Sequence, residues 1–278
     1  MGSKDKICDY IISLFPKADH FYDLFGGGFA VTHAMLLKRS KDYKYFHFNE
    51  IRPGICELLK NAIDGKYNYN NFKPKFVSRD EFFKSLDKDP YIKLCWSFGN
   101  NGEDYLFSKD IELYKRSLHN AIIFNDFDKT AVKILGITKF KDEYSIKDRM
   151  LFLRNRIRVI HKNKSRGELQ QLNFTNLSYD NVHIEKNSVV YCDPPYIGTV
   201  QYYDAKFDHN KFYDWCDRQM VTVFISEYYM PSGRFKLLAS LKKRSLFSSE
   251  SRIYKIEKVY INRYAYESLY KNRKMSNG

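Results

Sequence analysis

Long apolar runs are missing from this sequence. No stretch approaches the roughly 18 apolar residues of a membrane span, and the opening Met-Gly-Ser-Lys-Asp-Lys holds no apolar signal core. Lys6 stands where a myristoylation pattern wants Ser or Thr, so a spanning or lipid-anchored protein is not expected. Cysteine is scarce: Cys8, Cys56, Cys95, Cys192 and Cys216 are the five, and no two form a Cys-x-x-Cys pair. The odd count and wide spacing speak against a disulfide framework and a zinc ribbon, and fit a reducing cytoplasm. His33, His47, His119, His161 and His183 show no metal-ligand spacing, and no metal is expected. Acidic residues are also short, 33 against 47 Lys and Arg, leaving +14 over 278 residues. That excess points to an anionic partner, and with the membrane set aside, to nucleic acid. Aromatics are abundant, with 23 Tyr and 22 Phe, and the 44% hydrophobic content supports a sizeable core without disulfide staples.

Periodicity divides the chain into three stretches. Ile7, Ile11 and Leu14 recur at helical spacing, and Pro16 ends that helix. Residues 20–25 read as a short aromatic strand stopped by Gly26-Gly27-Gly28, residues 29–37 as a helix, and 43–48 as a strand ending in Asn49-Glu50. A further helix reaches residue 63, with Pro53 in its first turn. Strand and helix in alternation predict a parallel sheet covered by helices. Over 64–173 the rhythm breaks into polar, Asn- and Lys-rich sequence containing the loop-type cluster 97–102. Ile146, Met150, Leu153, Ile157 and Ile160 predict one helix there. Strand-like runs then return at 188–192 and 221–226, with later ones at 244–247 and 254–261. The expected architecture is α/β: a doubly wound Rossmann-like domain of residues 1–63 and 174–278, with 64–173 inserted as a smaller, mostly helical domain.

Two constellations carry chemistry. In Asp23-Leu24-Phe25-Gly26-Gly27-Gly28-Phe29 the glycines between strand and helix let backbone approach a ligand closely. Glu50, ending the next strand, can accept from two ribose hydroxyls. The third glycine of a dinucleotide fingerprint is replaced by Val31, and no Gly-Lys-Ser/Thr follows, so a nicotinamide site is disfavoured and a P-loop excluded. Taken alone, such a turn is more often only a tight turn. In the second constellation, Asp193-Pro194-Pro195-Tyr196 directly follows an apolar strand. Two prolines make a stiff extended bend, which presents a carboxylate, free carbonyls and an aromatic face at a strand's carboxyl edge. A polar turn with a surface Tyr leaves that combination unexplained. Ser226 and Ser245 lack the context of a nucleophile elbow, and His209 reads as a surface helix start.

Asp-Pro-Pro-Tyr after an apolar strand resembles the catalytic motif of the amino-methylating DNA methyltransferases, and the turn 23–29 resembles their S-adenosylmethionine-binding motif. The order of cofactor half, inserted segment and catalytic motif is similar to the Dam-type, alpha-class DNA adenine-N6 methyltransferases. The segment around Lys4 resembles that family's N-terminal motif, residues 176–182 its short motif before the catalytic strand, and 224–228 and 244–249 its late motifs. The resemblance implies Asp193, Pro194, Pro195 and Tyr196 as the catalytic four. It implies Lys4, Asp23, Phe25, Gly26, Gly27, Gly28, Phe29, Glu50, Asn176, Ser178, Tyr179 and Asp193 at the cofactor. Where the family carries an acidic residue before the aromatic, this sequence has Ser178-Tyr179, which leaves Asn176 or Asp180 to read the cofactor adenine. The implied activity is site-specific methylation of adenine N6 in duplex DNA, with base flipping and without metal. Two acceptors, the Asp193 carboxylate and the Pro194 carbonyl, would favour the pyramidal amine that attacks, and Tyr196 would stack on the extruded base. Cytosine N4, an RNA adenine or a glutamine amide are rival amines. Asp at the first motif position favours adenine, because N4-cytosine enzymes often carry Ser there and glutamine enzymes Asn. An inactive DNA-binding relative is a rival of another class, opposed by intact Asp193 and Tyr196. The implied setting is the cytoplasm of a bacterium or phage-infected cell, in a restriction-modification context that admits a cognate endonuclease as partner without requiring one.

Charge locates the expected DNA surface. From Lys139 to Arg166 ten basic residues face three acidic ones, a net +7, half of the chain's excess. Arg154, Arg156, Arg158, Lys162 and Lys164 are the candidate phosphate contacts, although for any one of them a solvated helix face is the commoner role. The tail from Arg234 to Lys274 is also basic, with twelve Lys and Arg against Glu250, Glu257 and Glu267.

Overall fold

The computed structural model describes residues 4, 7–70, 72–157, 171–197, 207–231, 233–244 and 254–271. The chain gathers into two compact units, one of Glu57–Ser165 and one of Gly2–Cys56 with Arg166–Gly278.

The larger unit is built on a seven-stranded sheet. Its strands are β1 (His20–Asp23), β2 (Tyr45–Asn49), β3 (Leu172–Thr175), β4 (Ser188–Cys192), β5 (Thr222–Glu227), β6 (Lys236–Arg244) and β7 (Tyr254–Ile261), in the order β3-β2-β1-β4-β5-β7-β6. The first five in that order run parallel, and β7 is antiparallel to both β5 and β6. The chain winds outward from β1 to β3, then starts again at β4 and winds the other way. The switch between β1 and β4 opens a crevice at the carboxyl ends of the strands, where open α/β sheets bind ligands.

Side chains alternate between the two faces, as strand pleating requires. Phe21, Val189, Tyr191, Phe224, Val259 and Ile261 pack with residues of α1 (Cys8–Ser13), α2 (Ala30–Lys38) and α10 (Arg263–Tyr266). Tyr22, Val190, Cys192, Val223, Ile225 and Tyr260 pack instead with α9 (His209–Arg218) and with Tyr179 and Val182. All five residues of β4 are buried, which is why that strand reads as a continuous apolar run. Burying one such aromatic or aliphatic side chain is worth about 1.5–3 kcal/mol, so β4 is the anchor on which the site stands.

The unit Glu57–Ser165 takes most of α3 (Ile55–Ile63), then α4 (Arg79–Ser85), α5 (Pro90–Cys95), α6 (Lys109–Phe124), α7 (Lys129–Leu135) and α8 (Ile146–Ile157). Its helix starts are written locally. Asp89 accepts from the N–H groups of Tyr91 and Ile92 ahead of Pro90, and Asp128 accepts from Ala131 N at 2.7 Å. Two apolar groups fill this unit, one around Ile122, Leu135 and Phe140 and another around Phe82, Trp96 and Tyr105.

Two strands depart from the sequence reading. β3 starts at Leu172, inside the segment expected to be inserted; it was missed because a four-residue edge strand with no buried residue carries almost no periodic signal. β6 spans Lys236–Arg244 and so ends where a strand was expected to begin. Its Leu237-Leu238 and Lys242-Lys243 doublets blur the alternation, and a register irregularity falls at Leu237/Ala239. The late motif 245–249 lies outside the described residues.

Candidate active site

The glycine turn leaves β1 at the crevice. Asp23 is its last strand residue, and buried Thr32 of α2 donates to Asp23 Oδ2 at 2.8 Å. Asp23 Oδ1 is buried without a hydrogen-bond partner. Burial pushes the Asp23 carboxyl up to about 7; the Thr32 bond works against this, and the charges of Asp193 and Glu50 add to it. Gly26 has no room for a side chain, since a Cβ there would lie 2.0 Å from the ring of fully buried Phe48. Gly27 has φ +51, the left-handed region that favours glycine. Gly28 has open space around it. Phe29, at φ 69, caps α2, and its ring packs on Phe48 and Phe174.

Glu50 follows β2 and is buried at 3% exposure. Its Oε2 accepts from Gly27 N at 2.8 Å, and its Oε1 accepts from Arg52 N at 3.1 Å and Arg52 Nε at 2.9 Å. Arg52 Nη2 stands 3.4 Å from Oε2. The sequence reading aimed Glu50 at a ribose; here a carboxylate with about four acceptor sites already meets four donors.

Asn49, unremarked in the sequence, ties three strand ends together. Its Nδ2 donates to Leu24 O at 3.0 Å and Leu177 O at 2.9 Å, and its Oδ1 accepts from Thr175 Oγ1 at 2.8 Å and Leu177 N at 3.1 Å. Asn176 donates to the carbonyls of Glu50 and Arg52, so it braces the turn after β2. Ser178 donates to Asp180, whose other oxygen pairs with Lys211 at 2.6 Å. Tyr179 stacks on Phe25 at 5.4 Å between ring centres, and edges of Phe212 and Trp215 close around it.

The Asp193–Tyr196 bend leaves β4 on the other side of the switch. Asp193 keeps 20% of its side chain exposed, and its Oδ1 lies 2.8 Å from Lys4 Nζ. Lys4 therefore stands at the Asp193–Tyr196 bend, where it also lies 2.8 Å from Glu257 Oε1 and donates to the Tyr196 hydroxyl at 2.7 Å. Burial pulls the Lys4 pKa down, but Asp193 and Glu257 outweigh it and leave it raised. Enclosure by protein raises Asp193, with Lys4 opposing. The Tyr196 hydroxyl donates to Glu257, and burial together with the two carboxylates holds its pKa well above the ordinary range. The ring of Tyr196 meets Tyr228 edge-on at 4.6 Å.

Two further residues fix the bend. Glu227, ending β5, accepts from Tyr228 N at 2.6 Å and Ile197 N at 3.4 Å. Burial pushes its carboxyl up to about 7, against those two N–H bonds and with help from the Asp193 and Glu257 charges. His209 begins α9 as expected, yet its Nε2 also lies 2.8 Å from Pro195 O. The sequence offered His209 only as a helix start and Glu227 only within a late motif, and it did not set Glu257 apart; the fold brings all three to the bend.

The chain matches the family described as D12 class N6 adenine-specific DNA methyltransferase over residues 1–261. It belongs to that family. The glycine turn with Glu50 and the Asp193–Tyr196 bend both lie at the carboxyl edge of one sheet. Among individual relatives, the "Type II methyltransferase M.FokI" of Planomicrobium okeanokoites is 27% identical over 233 residues, 77% of this chain. The chain spans about 30% of the length of that curated relative. Of solved structures, the rRNA methyltransferase aviRa from Streptomyces viridochromogenes overlaps with a TM-score of 0.42 at 8% identity, covering 95% of this chain and 86% of that one. The fold assignment rests on the strand order itself.

The expected DNA contacts fall in the unit Glu57–Ser165. Arg154 is exposed on α8 and borders a cavity of about 510 Å³ lined largely by aromatic and aliphatic residues, among them Trp96, Phe107, Met150 and Leu153. Arg156 lies on the same helix with its side chain outside the described residues, and Arg158, Lys162 and Lys164 lie outside them altogether. Among the described residues no group of three or more His, Cys, Asp or Glu side chains is placed to hold a metal ion, and no helix is long and apolar enough to cross a membrane.

Proposed function

We propose that this protein transfers a methyl group from S-adenosylmethionine to N6 of an adenine turned out of duplex DNA, at specific sites. One observation carries the reading: Asp193, partly exposed and paired with Lys4, sits at the end of β4 beside the β1 switch point, the same edge as the glycine turn and Glu50. The cofactor fits these residues. The buried, unpartnered Asp23 Oδ1 calls for a donor or a cation, and the Gly26–Gly27 turn brings backbone to the crevice. Asp23, Glu50 and the turn would hold it, with the Phe25–Tyr179 pair as the aromatic wall. When bound, S-adenosylmethionine supplies an electrophilic methyl whose bond to sulfur breaks, the electron pair going to sulfur, as a bond to N6 forms.

The chain's own residues act on the amine. The lone pair of adenine N6 is delocalised into the ring, so the amine is a poor nucleophile. Asp193 and the Pro194 carbonyl accept from its two hydrogens and favour the pyramidal form, a stabilisation held in place before reaction. Asp193 then lies nearest to take the proton that N6 must lose. Pro195, pinned through its carbonyl by His209, keeps the bend stiff. The Tyr196 ring is the face on which the extruded base stacks. The unit Glu57–Ser165, with the basic run 139–166, supplies phosphate and base contacts. Such an enzyme works in the cytoplasm on genomic or phage DNA, a setting that admits a cognate restriction endonuclease as partner without requiring one.

The experiment is Asp193→Ala. Turnover of labelled methyl groups into duplex DNA should fall by two or more orders of magnitude, with cofactor affinity largely retained. Near-parental turnover by the folded variant would overturn the reading.

A further inference from the structure

A second buried carboxylate stands beside the catalytic motif, and the mechanism above makes no use of it. Glu257 lies on β7 at 2% exposure. Because β7 runs antiparallel to β5, with Glu227 opposite Lys258, the residue just before Lys258 arrives at the carboxyl end of β5. Glu257 shares its parity with Val259 and Ile261, which face α1, and Lys4 lies four residues before Cys8, the first residue of α1, whose N–H donates to the Lys4 carbonyl at 2.7 Å. The two side chains meet at 2.8 Å. An ammonium has three N–H donors. Lys4 has three acceptors within reach: Asp193 Oδ1 at 2.8 Å, Glu257 Oε1 at 2.8 Å and the Tyr196 hydroxyl at 2.7 Å. The Tyr196 hydroxyl passes its own proton donation on to Glu257. The cluster therefore holds two formal negative charges against one positive.

We propose that Glu257 is a positioning residue for methyl transfer: by sharing Lys4 and holding the Tyr196 hydroxyl, it keeps Lys4 from neutralising Asp193 and leaves Asp193 free to accept from the target amine. This rests on the catalytic reading of Asp193 and Tyr196 given above. An ammonium paired with Asp193 alone would weaken it as an acceptor; an ammonium divided between two carboxylates does so less. The positive charge that grows on N6 during attack also faces a cluster of net charge −1. Glutamine at 257 would make that cluster neutral.

Seven groups bear on Asp193. Lys4 lowers its pKa and Glu257 raises it, and the Tyr196 hydroxyl lies close by. The carboxyls of Asp23 and Glu227 and the hydroxyls of Tyr191 and Tyr228 also lie close enough to interact. Removing the Glu257 charge thus lowers the Asp193 pKa, and the acidic limb of kcat should move to lower pH.

The test measures steady-state methylation of duplex DNA by the parent, Glu257→Gln, Glu257→Asp, Lys4→Met, the double variant Lys4→Met/Glu257→Gln, and Asp193→Ala. Cofactor affinity by calorimetry and the melting temperature accompany each. Glu257→Gln should lose tenfold or more in kcat, with KM for DNA and cofactor affinity within about threefold of the parent and the acidic limb displaced downward. Glu257→Asp, which keeps the charge on a shorter arm, should recover part of the loss. In the Lys4→Met background, Glu257→Gln should cost markedly less than in the parent, because Glu257 acts chiefly through Lys4. That double variant leaves no buried ammonium without partners, so it stays readable if the single variant does not fold. The proposal is overturned by parental kcat in Glu257→Gln, by losses that multiply in the double variant, or by an unmoved acidic limb with kcat and cofactor affinity falling together. Asp193→Ala separates the two claims. If it turns over normally, the catalytic reading itself fails; if it is inactive while Glu257→Gln is parental, that reading stands and the role of Glu257 falls.

Discussion

Two buried ion clusters sit at the same sheet edge, and they are assembled in opposite ways. Glu50 takes its cation from Arg52, two residues along, and a backbone N–H from Gly27. One carboxylate meets one guanidinium, and the cluster is neutral. Asp193 and Glu257 share the single ammonium of Lys4, whose partner Tyr196 lies 192 residues away. That cluster is one positive charge short. Buried ions are tolerated when paired and hydrogen-bonded, so both are stable, but they are suited to different work. The neutral, saturated cluster can bind a hydroxyl-bearing ligand only by giving up a donor. The unbalanced one stands ready for positive charge developing on a reacting amine.

The sharpest way to break this comparison is to remove Glu50. Glu50→Ala should weaken S-adenosylmethionine binding by ten- to a hundredfold, about 1.4–2.8 kcal/mol, while DNA affinity changes far less. Arg52→Ala should leave cofactor affinity at least as tight as the parent's, because it frees acceptor sites on Glu50. Calorimetry reads both. Unchanged affinity in Glu50→Ala would remove Glu50 from the cofactor site, and weaker binding in Arg52→Ala would make Arg52 a ligand contact in its own right.

A smaller effect concerns Asp23, the carboxylate between the two clusters. Its folded pKa of about 7 lies above the ordinary aspartate value of 3.8. Between these values the folded protein holds a proton that the unfolded chain has released. The stabilisation is therefore full below about pH 4 and is lost as pH rises through 7. Asp23→Asn, which keeps an acceptor for Thr32, should melt higher than the parent at pH 8 and show a flatter melting profile from pH 5 to 8. A lower melting temperature at pH 8 would mean that Asp23 is held there as a paired anion.

The smallest expected effect lies in the other unit. Arg154→Ala combined with Arg158→Ala should weaken DNA binding at moderate salt. The slope of log affinity against log salt should fall by about one unit for each phosphate that is no longer neutralised. Cofactor affinity should not move. If affinity and slope match the parent's, these arginines are a solvated helix face, and the DNA surface belongs to the basic tail after Arg234.

How much of this was legible depended on separation along the chain. The glycine turn, Glu50 and Asp193–Tyr196 are each contiguous with the strand that presents them, so strand pattern and motif were read together. β4 and β7 were bounded to the residue by their composition. β3 was missed because a four-residue edge strand with no buried residue offers almost no period to detect, and β6 was displaced because paired leucines and lysines hide its alternation. Asn49 looked like the end of a strand; its role as a clasp between β1, β2 and the segment after β3 exists only once those ends lie side by side.

The sequence by itself determined the sheet class and the family, and it singled out the glycine turn and the Asp193–Tyr196 bend, because those signals lie within a few residues of one another and follow local rules of turn, strand and side-chain type. Tertiary structure alone decided which charges share a partner. Glu257 is one of three acids in a basic tail until β7 inserts antiparallel beside β5 and turns its opening residues toward the catalytic edge. Lys4 belonged with the cofactor by resemblance, and packing delivered it to Asp193, Tyr196 and Glu257. Long-range ion pairs are fixed by strand order and burial, and neither is written in the residues near the charge.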